Sequence, residues 1–264
     1  MRILVTNDDG ISAPGLAVAE AIAAEIAGAD GEVWTVAPAF EQSGVSHCIS
    51  YIRPMRLEPM GERRFAVEGS PADCVMAGLF DVLKDSPPDL VISGVNRGHN
   101  VAEDTLYSGT IGGAMEAALH KVRAVALSQY YSPALAGKDT FSAAKAHGVA
   151  TVRALLDRAP WEREGRYGVF YNVNFPPVEG SDVRGTRVTA QGERGGSPFR
   201  LEPQTAPNGR RYLWIGHGHG NATATEGSDA RVAADGYVTI TPLRADLTAH
   251  DLVTDLGPAL DREV

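Results

Sequence analysis

Residues 3–37 read ILVTNDDGISAPGLAVAEAIAAEIAGADGEVWTVA, and they predict how the chain begins to fold. Ile3 to Thr6 has the consecutive apolar character that is typical of a central parallel strand covered on both faces. From Pro14 to Gly28, apolar residues recur at helical spacing, and Glu32 to Ala37 is a second strand. A strand, a loop, a helix and a second strand form the opening unit of a doubly wound sheet.

The alternation of strands and helices continues to about residue 177. Further strands are predicted at Phe65–Val67, Leu90–Ser93, Ala124–Ser128 and Gly168–Asn174. Helices are predicted from Pro71 to about Lys84, with Ser70 as N-cap, and at Thr110–Leu119 and Thr140–Asp157. This pattern predicts an α/β fold with a mostly parallel sheet.

The pattern changes after Pro177. Separated strands are predicted at Val188–Gln191 and Arg211–Ile215, and Asn208-Gly209 is a hairpin-turn signal between them. Residues 184–236 contain too few large apolar residues for a core of their own, so we predict a protruding hairpin excursion that leans on a partner subunit or covers a site. A strand at Tyr237–Thr241 and a helical tail over residues 246–264 complete a single domain of residues 1–264.

Composition excludes several classes of partner. The chain has 264 residues, of which 33 are acidic and 24 are basic, so its net charge is −9. Such a chain binds polyanions poorly, which argues against long nucleic acids and anionic membranes as main partners. The sequence contains no run of about 18 apolar residues, so we expect no membrane span. Two cysteines, Cys48 and Cys74, are too few for a disulfide framework, and with no signal-peptide pattern they predict buried thiols in a cytoplasmic protein.

Two adjacent carboxylates, Asp8 and Asp9, follow the first predicted strand. Ligands of open α/β sheets bind outside the carboxyl ends of the strands. Adjacent carboxylates raise each other's pKa unless a cation neutralises them, and a divalent metal would do so. The alternative is that Asn-Asp-Asp-Gly simply makes a turn.

Two further predicted strand ends supply oxygen donors. Ser43 and Asn96 each stand near a glycine, which allows close backbone approach. Together with Asp8 and Asp9 they form an all-oxygen set, which suits Mg²⁺, Mn²⁺ or Ca²⁺. Either residue taken alone is better explained by a loop hydrogen bond, so the hypothesis depends on three strand ends that converge.

Tyr107-Ser108-Gly109-Thr110 opens a predicted helix. Hydroxyls and free backbone N–H groups at a helix N-terminus bind phosphate, although a plain N-cap at Ser108 or Thr110 is the simpler alternative. A metal beside such a helix end would supply the positive charge that the acidic chain lacks. The combination indicates a metal-assisted phosphate ester hydrolase.

Other ligand motifs are missing or weak. The sequence contains no GxxxxGK[ST] loop, and NDDG replaces the GxGxxG of a dinucleotide site after the first strand. Gly216-His217-Gly218-His219 lacks a second cluster of metal ligands, so we interpret these histidines as loop residues. A P-loop enzyme and a conventional dinucleotide fold are therefore disfavoured.

Four separated motifs carry a resemblance to a known family. They are NDDG at Asn7–Gly10, Ser43-Gly44, SGVNRGHN at Ser93–Asn100 and DTLYSGT at Asp104–Thr110. Further matches are VEGSPADCV at Val67–Val75, NVNFP at Asn172–Pro176 and DGYVTITPL at Asp235–Leu243. In this order, over nearly the whole chain, they resemble the SurE survival proteins, which are metal-dependent 5′/3′-nucleotidases.

The resemblance implies a fold, a metal and a set of site residues. The implied fold is Rossmann-like, a doubly wound, mostly parallel sheet in three αβα layers. Asp8, Asp9, Ser43 and Asn96 would ligate one divalent metal ion per subunit. Gly44, Ser108, Gly109 and Thr110 would hold the substrate phosphate, with Asn96 also in contact with the substrate. The resemblance further implies homodimers or homotetramers that exchange hairpin and C-terminal segments.

The sequence departs from the family pattern at two positions. Ala102 stands where the family usually has a glycine, and Gln42 stands where a basic residue is frequent. Neither change removes a proposed metal ligand.

We therefore predict hydrolysis of nucleoside 5′- and 3′-monophosphates to nucleoside and phosphate. Asp8 and Asp9 are the predicted catalytic residues, and the sequence leaves open whether either acts as a general base, a nucleophile or a ligand only. The alternatives are an exopolyphosphatase that shortens polyphosphate, a hydrolase for another phosphoester, or a nucleotide-binding sensor without turnover.

Overall fold

The computed structural model describes residues 1–135, 137–161, 167–194, 199–217 and 224–260. The strands are β1 (Arg2–Thr6), β2 (Glu32–Pro38), β3 (Leu57–Gly61), β4 (Arg64–Val67), β5 (Leu90–Arg97), β6 (Arg123–Gln129), β7 (Phe170–Phe175), β8 (Thr186–Val188), β9 (Phe199–Thr205), β10 (Arg211–His217) and β11 (Val238–Leu243). The helices are α1 (Pro14–Ala27), α2 (Pro71–Ala77), α3 (Gly109–Leu119), α4 (Ser142–Arg158), α5 (Asp229–Ala234) and α6 (His250–Leu260).

Nine strands form one sheet in the order β3-β4-β2-β1-β5-β6-β7-β11-β8. β1 lies inside the sheet and pairs in parallel with β2 on one side and β5 on the other. Within the described part of this sheet, the antiparallel pairs are β3 with β4 and β11 with β7. Because β1 leads through α1 to one neighbour while β5 lies on its other side, the sheet has a topological switch point between β1 and β5.

Helices cover both faces of the sheet. One apolar cluster joins the sheet to α1 and α4, and it includes Leu16, Ile22 and Phe175. A second cluster joins the opposite face to α2 and α3, and it includes Leu4, Val75 and Ile111. The core residues of β1 therefore contribute to both clusters, since Ile3 and Val5 face one side and Leu4 the other. This arrangement confirms the predicted doubly wound, three-layer α/β fold.

The predicted helix to Lys84 differs from the structure. α2 ends at Ala77, and the chain continues in one wider helical turn over Gly78–Val82. A Cβ at Gly78 would lie 2.6 Å from the Leu4 side chain, so this glycine permits close packing on the sheet. At the start of α2, Ser70 and Asp73 form the reciprocal cap that the sequence predicts in part.

The protruding segment is narrower than the predicted excursion of residues 184–236. β8 is the edge strand of the main sheet, pairing in parallel with β11, and α5 packs against β11. Within the described residues, the antiparallel hairpin of β9 and β10 is what lies outside the sheet. The predicted strand Val188–Gln191 is wrong beyond Val188, and the prediction omitted β9 and α5. β8 has only three residues, all exposed, and therefore lacks the alternation that reveals a half-buried strand.

Two smaller expectations concern the cysteines and the membrane. Cys74 is buried as predicted, whereas Cys48 is exposed, and both are free thiols. Among the described residues, no helix combines the length and apolar character needed to cross a bilayer.

Candidate active site

The loops that follow β1, β2 and β5 meet at the carboxyl edge of the sheet. Gln42 N donates to Asp8 O at 2.7 Å, which places the loop after β2 against the loop after β1. Arg97 N donates to Asp9 Oδ2 at 3.0 Å, which places the end of β5 beside the same loop. The acidic pair thus lies at the switch point, where open α/β sheets bind their ligands.

Asp8 is held by the first turn of α3. Its side chain is buried, with 4% of the residue exposed, and its Oδ1 accepts a hydrogen bond from Thr110 Oγ1 at 2.7 Å. A Cβ on Gly109 would lie 2.9 Å from Asp8 Cβ, so the absence of a side chain there allows the helix to approach this closely. Burial raises the pKa of Asp8 from 3.8 to about 7; the Thr110 hydrogen bond opposes the rise and the charge of Asp9 adds to it.

Asp9 lies in a similar electrostatic environment. Burial raises the pKa of its carboxyl, while the backbone N–H and the charge of Arg97 oppose this shift and Glu41 adds to it. Two neighbouring carboxyl groups whose pKa values are both raised form a site where a bound cation would stabilise the charged forms.

The other two predicted metal ligands, Ser43 and Asn96, lie at the same edge of the sheet, and each makes a hydrogen bond within its own loop. Ser43 is exposed, and its Oγ donates to Glu41 Oε1 at 2.9 Å, which leaves the oxygen lone pairs for a cation. Asn96 Nδ2 donates to Gly98 O at 3.0 Å, so Oδ1 is the atom that Asn96 can offer. Gly44 adopts φ 76° and is exposed, and a Cβ there would meet no described atom within 4 Å.

The donor atoms fit a hard divalent cation. All four proposed ligands present oxygen, the atom type that Mg²⁺ and Mn²⁺ prefer. Asn7 Oδ1, next to Asp8, is also a buried acceptor without a hydrogen-bond partner among the described residues. The residues present are therefore consistent with the metal that the resemblance implies.

The N-terminus of α3 provides the second half of the site. Ser108 is the N-cap, and its side chain accepts a hydrogen bond from Ile111 N at 3.1 Å. The N–H groups of the first turn of a helix have no partners within the helix and carry partial positive charge, which favours a phosphate. Ser108, Gly109 and Thr110 are buried, so this helix end reaches Asp8 from within the protein.

A buried polar network behind Thr110 was not predicted as part of the site. Asn100 Nδ2 donates to Ser128 Oγ at 2.8 Å and contacts Thr110 Oγ1 at 3.4 Å. Asn172 and Asn174 donate through their Nδ2 atoms to Asn100 O at 2.7 and 3.1 Å, and Asn100 N donates to Asn174 Oδ1. The signal in the sequence was the i, i+2 spacing of the two asparagines on β7, which places them on one face of a strand.

Ala102 occupies the position where the family pattern has a glycine. Its φ is 49°, in the left-handed region that glycine adopts most readily, and the residue is fully buried. Its N–H donates to the Asp229 carboxylate, at 3.1 Å to Oδ2. The loop thus has the left-handed backbone that a glycine would adopt, although Ala102 carries a methyl group there. The interpretation of the two histidines as loop residues is wrong for His217, which is the last residue of β10, and His219 lies outside the described residues.

Comparison with known proteins identifies the family. The family model described as survival protein SurE matches residues 3–197. The chain is 62% identical over 258 residues to the 5′-nucleotidase SurE of Roseobacter denitrificans, covering 97% of this chain and 98% of that protein. It is 60% identical over 261 residues to the 5′-nucleotidase SurE of Ruegeria pomeroyi, covering 98% and 100% of the two chains.

A solved structure supports the same assignment. The crystal structure of the SurE protein from Aquifex aeolicus matches with a TM-score of 0.81 and 31% sequence identity. The match covers 99% of this chain and 100% of that one. The agreement therefore extends to β11 and α6, beyond the residues that the family model matches. The chain belongs to the SurE family.

Proposed function

We propose that this chain is a divalent-metal-dependent nucleotidase that hydrolyses nucleoside 5′- and 3′-monophosphates to nucleoside and phosphate. The observation that carries the proposal is the contact of buried Asp8, beside Asp9, with Thr110 in the first turn of α3. This contact places a pair of carboxylates beside a helix N-terminus that suits a phosphate. The relatives named 5′-nucleotidase SurE favour this activity over a polyphosphatase or a sensor without turnover.

Asp8, Asp9, Ser43 and Asn96 would hold one metal ion per subunit, Mg²⁺ or Mn²⁺. When bound, the ion would polarise a phosphoryl oxygen and lower the pKa of a water molecule. The Thr110 hydroxyl donates to Asp8 Oδ1 and orients the carboxylate that would bind the cation. Arg97 N holds Asp9 Oδ2 in the same way.

The first turn of α3 would hold the phosphate of the substrate. The N–H groups of Gly109 and Thr110, together with Ser108 and Gly44, donate to the phosphoryl oxygens, and Asn96 contacts the substrate from the end of β5. These donors stabilise the charge that the phosphoryl group carries during transfer, a reaction that depends mainly on positioning and electrostatics. Asp9 is the less buried of the two carboxylates, and in this proposal it acts as a metal ligand rather than as a general base.

The proposal extends to the assembly and location of the protein. Exposed apolar side chains on β9, β10 and α6 support a homodimer or homotetramer. Two free thiols support a cytoplasmic location, because disulfides are uncommon in that compartment. The proposal includes short polyphosphate as a second substrate, since the same phosphate donors would bind its terminal group.

Phosphate release from a panel of nucleoside 5′- and 3′-monophosphates tests the function. Protein stripped with EDTA should be inactive, and Mg²⁺ or Mn²⁺ should restore turnover. Asp8→Ala should lower kcat by at least about a hundredfold, since it removes a metal ligand and the partner of Thr110. Asp30→Ala, an exposed carboxylate after α1, is the matched control and should retain full activity. Turnover that survives EDTA, or Asp8→Ala, would exclude the proposed site.

A further inference from the structure

We infer that Arg194 and Asp229 are positioning residues for the phosphate of the substrate. They hold the turn of residues 101–107, which leads directly into the proposed phosphate donors at the start of α3. Ala102–Leu106 forms one short 3-10 helix in this turn, and so short a helix needs outside contacts to keep its place. The inference rests on the proposed function, because it takes the start of α3 as the group that binds phosphate.

Arg194 contacts this turn from a segment that lies 90 residues further along the chain. Its guanidinium donates to both carboxylate oxygens of Asp104, at 2.9 and 2.5 Å, and its backbone N–H donates to Glu103 Oε1 at 2.8 Å. His99 Nε2 also lies 3.3 Å from Asp104 Oδ2. The Arg194 side chain is 6% exposed, so salt screens this ion pair little, and its two hydrogen bonds fix the direction of the Asp104 carboxylate.

Asp229 holds the other end of the turn. It is the first residue of α5 and is fully buried, and its Oδ2 accepts a hydrogen bond from Ala102 N at 3.1 Å. Its Oδ1 accepts from Gly192 N at 2.8 Å and from Ala230 N at 2.7 Å. One carboxylate therefore joins the turn to α5 and to the segment that carries Arg194.

The backbone of Ala102 shows that the turn depends on these contacts. Its φ of 49° lies in the left-handed region, which is costly for a residue with a side chain. Such a conformation persists only where surrounding groups hold it. Here Asp229 accepts from the Ala102 N–H, and Gln191 Nε2 donates to the Ala102 carbonyl at 3.0 Å and to Thr105 Oγ1 at 2.8 Å. The peptide groups on both sides of Ala102 are therefore fixed.

The turn passes this fixed position on to the phosphate donors. Tyr107 N donates to Asp104 O at 3.1 Å, and the N-cap of α3 follows directly. Among the described residues, neither Arg194 nor Asp229 hydrogen-bonds to the first turn of α3, so each acts on the phosphate through the 101–107 turn. Because a misplacement of about 1 Å can cost about a hundredfold in rate, loosening the turn should weaken phosphate binding.

Calorimetric titration of inorganic phosphate into the Mn²⁺-loaded protein tests the inference. Arg194→Lys keeps the charge but cannot make the paired hydrogen bonds, so the Kd for phosphate should rise by about tenfold. Asp229→Asn replaces one carboxylate oxygen with an NH₂ group that faces a backbone N–H, and it should raise the Kd by a similar factor. Both variants should bind Mn²⁺ as wild type does, since the proposed metal ligands lie outside the turn.

Arg184→Lys is the matched control, because Arg184 is an exposed arginine just before β8 whose guanidinium lies over the Tyr237 ring. Its Kd for phosphate should equal that of wild type. A merely structural role for Arg194 and Asp229 would reduce the number of phosphate sites per chain, through loss of folded protein, and would leave the Kd of the remaining sites unchanged.

An unchanged Kd in either variant would overturn the inference, and so would a wild-type protein that does not bind phosphate. Mn²⁺ binding weakened by the same factor as phosphate binding would also overturn it, because the variants would then disturb the whole site. If Asp229→Asn does not fold, Arg194→Lys decides alone. If wild type binds phosphate but releases none from nucleoside monophosphates, the proposed function fails, and the Kd values of the variants still decide the inference.

Discussion

Asp8 is a buried carboxyl whose proton affinity changes on folding, and this sets how the metal-free protein responds to pH. Its pKa is about 7 in the folded state, against an ordinary value of 3.8. Between these values the folded chain binds more protons than the unfolded chain, so the free energy of unfolding falls as pH rises from about 4 through 7. The loss from this group is at most about 4 kcal/mol. Urea denaturation with EDTA at pH 5 and pH 8 should show the part of the loss that falls between pH 5 and 7, at most about 3 kcal/mol.

Asp8→Asn should abolish most of the fall in the free energy of unfolding between pH 5 and pH 8, because the amide does not titrate. At pH 8 and without metal, the variant should therefore be more stable than wild type. Mn²⁺ should stabilise wild type at pH 8 and leave Asp8→Asn nearly unchanged, since binding to the folded state alone raises stability. Identical pH dependence in wild type and variant would show that Asp8 is not the titrating group.

At the scale of elements, the loop that carries Ser43 is docked along α3. Ser46 N donates to Tyr107 O at 3.0 Å, and His47 Nε2 lies 2.6 Å from Glu116 Oε2. The other oxygen of Glu116 lies 2.8 Å from His120 Nε2. Burial alone would raise the pKa of Glu116, but the two histidine contacts hold it below its ordinary value. One carboxylate on α3 thus anchors the loop on one side and the end of its own helix on the other.

The two histidines provide a matched pair of variants. His47→Ala removes the contact between the loop and α3, so the Mn²⁺ concentration for half-maximal activity should rise by about tenfold, as for other residues that orient metal ligands. His120→Ala removes an equivalent contact within α3 and should leave that concentration unchanged. Phosphate release at a series of Mn²⁺ concentrations measures both. Equal metal requirements in the two variants would contradict a positioning role for His47.

At the scale of the whole molecule, the hairpin of β9 and β10 predicts association between subunits. An isolated two-stranded hairpin is marginally stable in water, and here both faces carry exposed apolar side chains. On β10, Trp214 is 64% exposed and Ile215, which points to the opposite face, is 71% exposed. We expect a second copy of the chain to cover this surface.

Ile215→Asp should therefore shift the protein toward a smaller species, because a charge in an apolar interface is costly. Light scattering coupled to size-exclusion chromatography measures the mass of each variant. Met60→Asp, at an exposed position on β3, is the control and should keep the wild-type mass. A monomeric wild type, or an Ile215→Asp variant of unchanged mass, would show that the hairpin is not an interface.

Elements with strong local signals were predictable. β1 and β5 have runs of apolar residues, α1 has Pro14 at its start, and α2 has the Ser70 cap. β8 was predicted with wrong bounds, since it has three residues and pairs with β11, a partner far along the chain. α5 was missed because it has only six residues and packs against β11. The protruding hairpin was predicted only in part, since its turn is a local signal and the pairing of β9 with β10 is not.

The fold class and the acidic pair at a strand end follow from the sequence alone, because apolar periodicity and neighbouring residues along the chain encode both. The surroundings of that pair depend on tertiary contacts. The contact between Thr110 and Asp8 spans 102 residues, and the Asn100 network joins β6, β7 and the loop before α3. Only packing brings such groups together and buries Asp8, and burial is the cause of its raised pKa. A cavity of about 340 Å³ beside Asp9 likewise exists only where the start of α1, the loop after β2, the end of β5 and Phe141 meet.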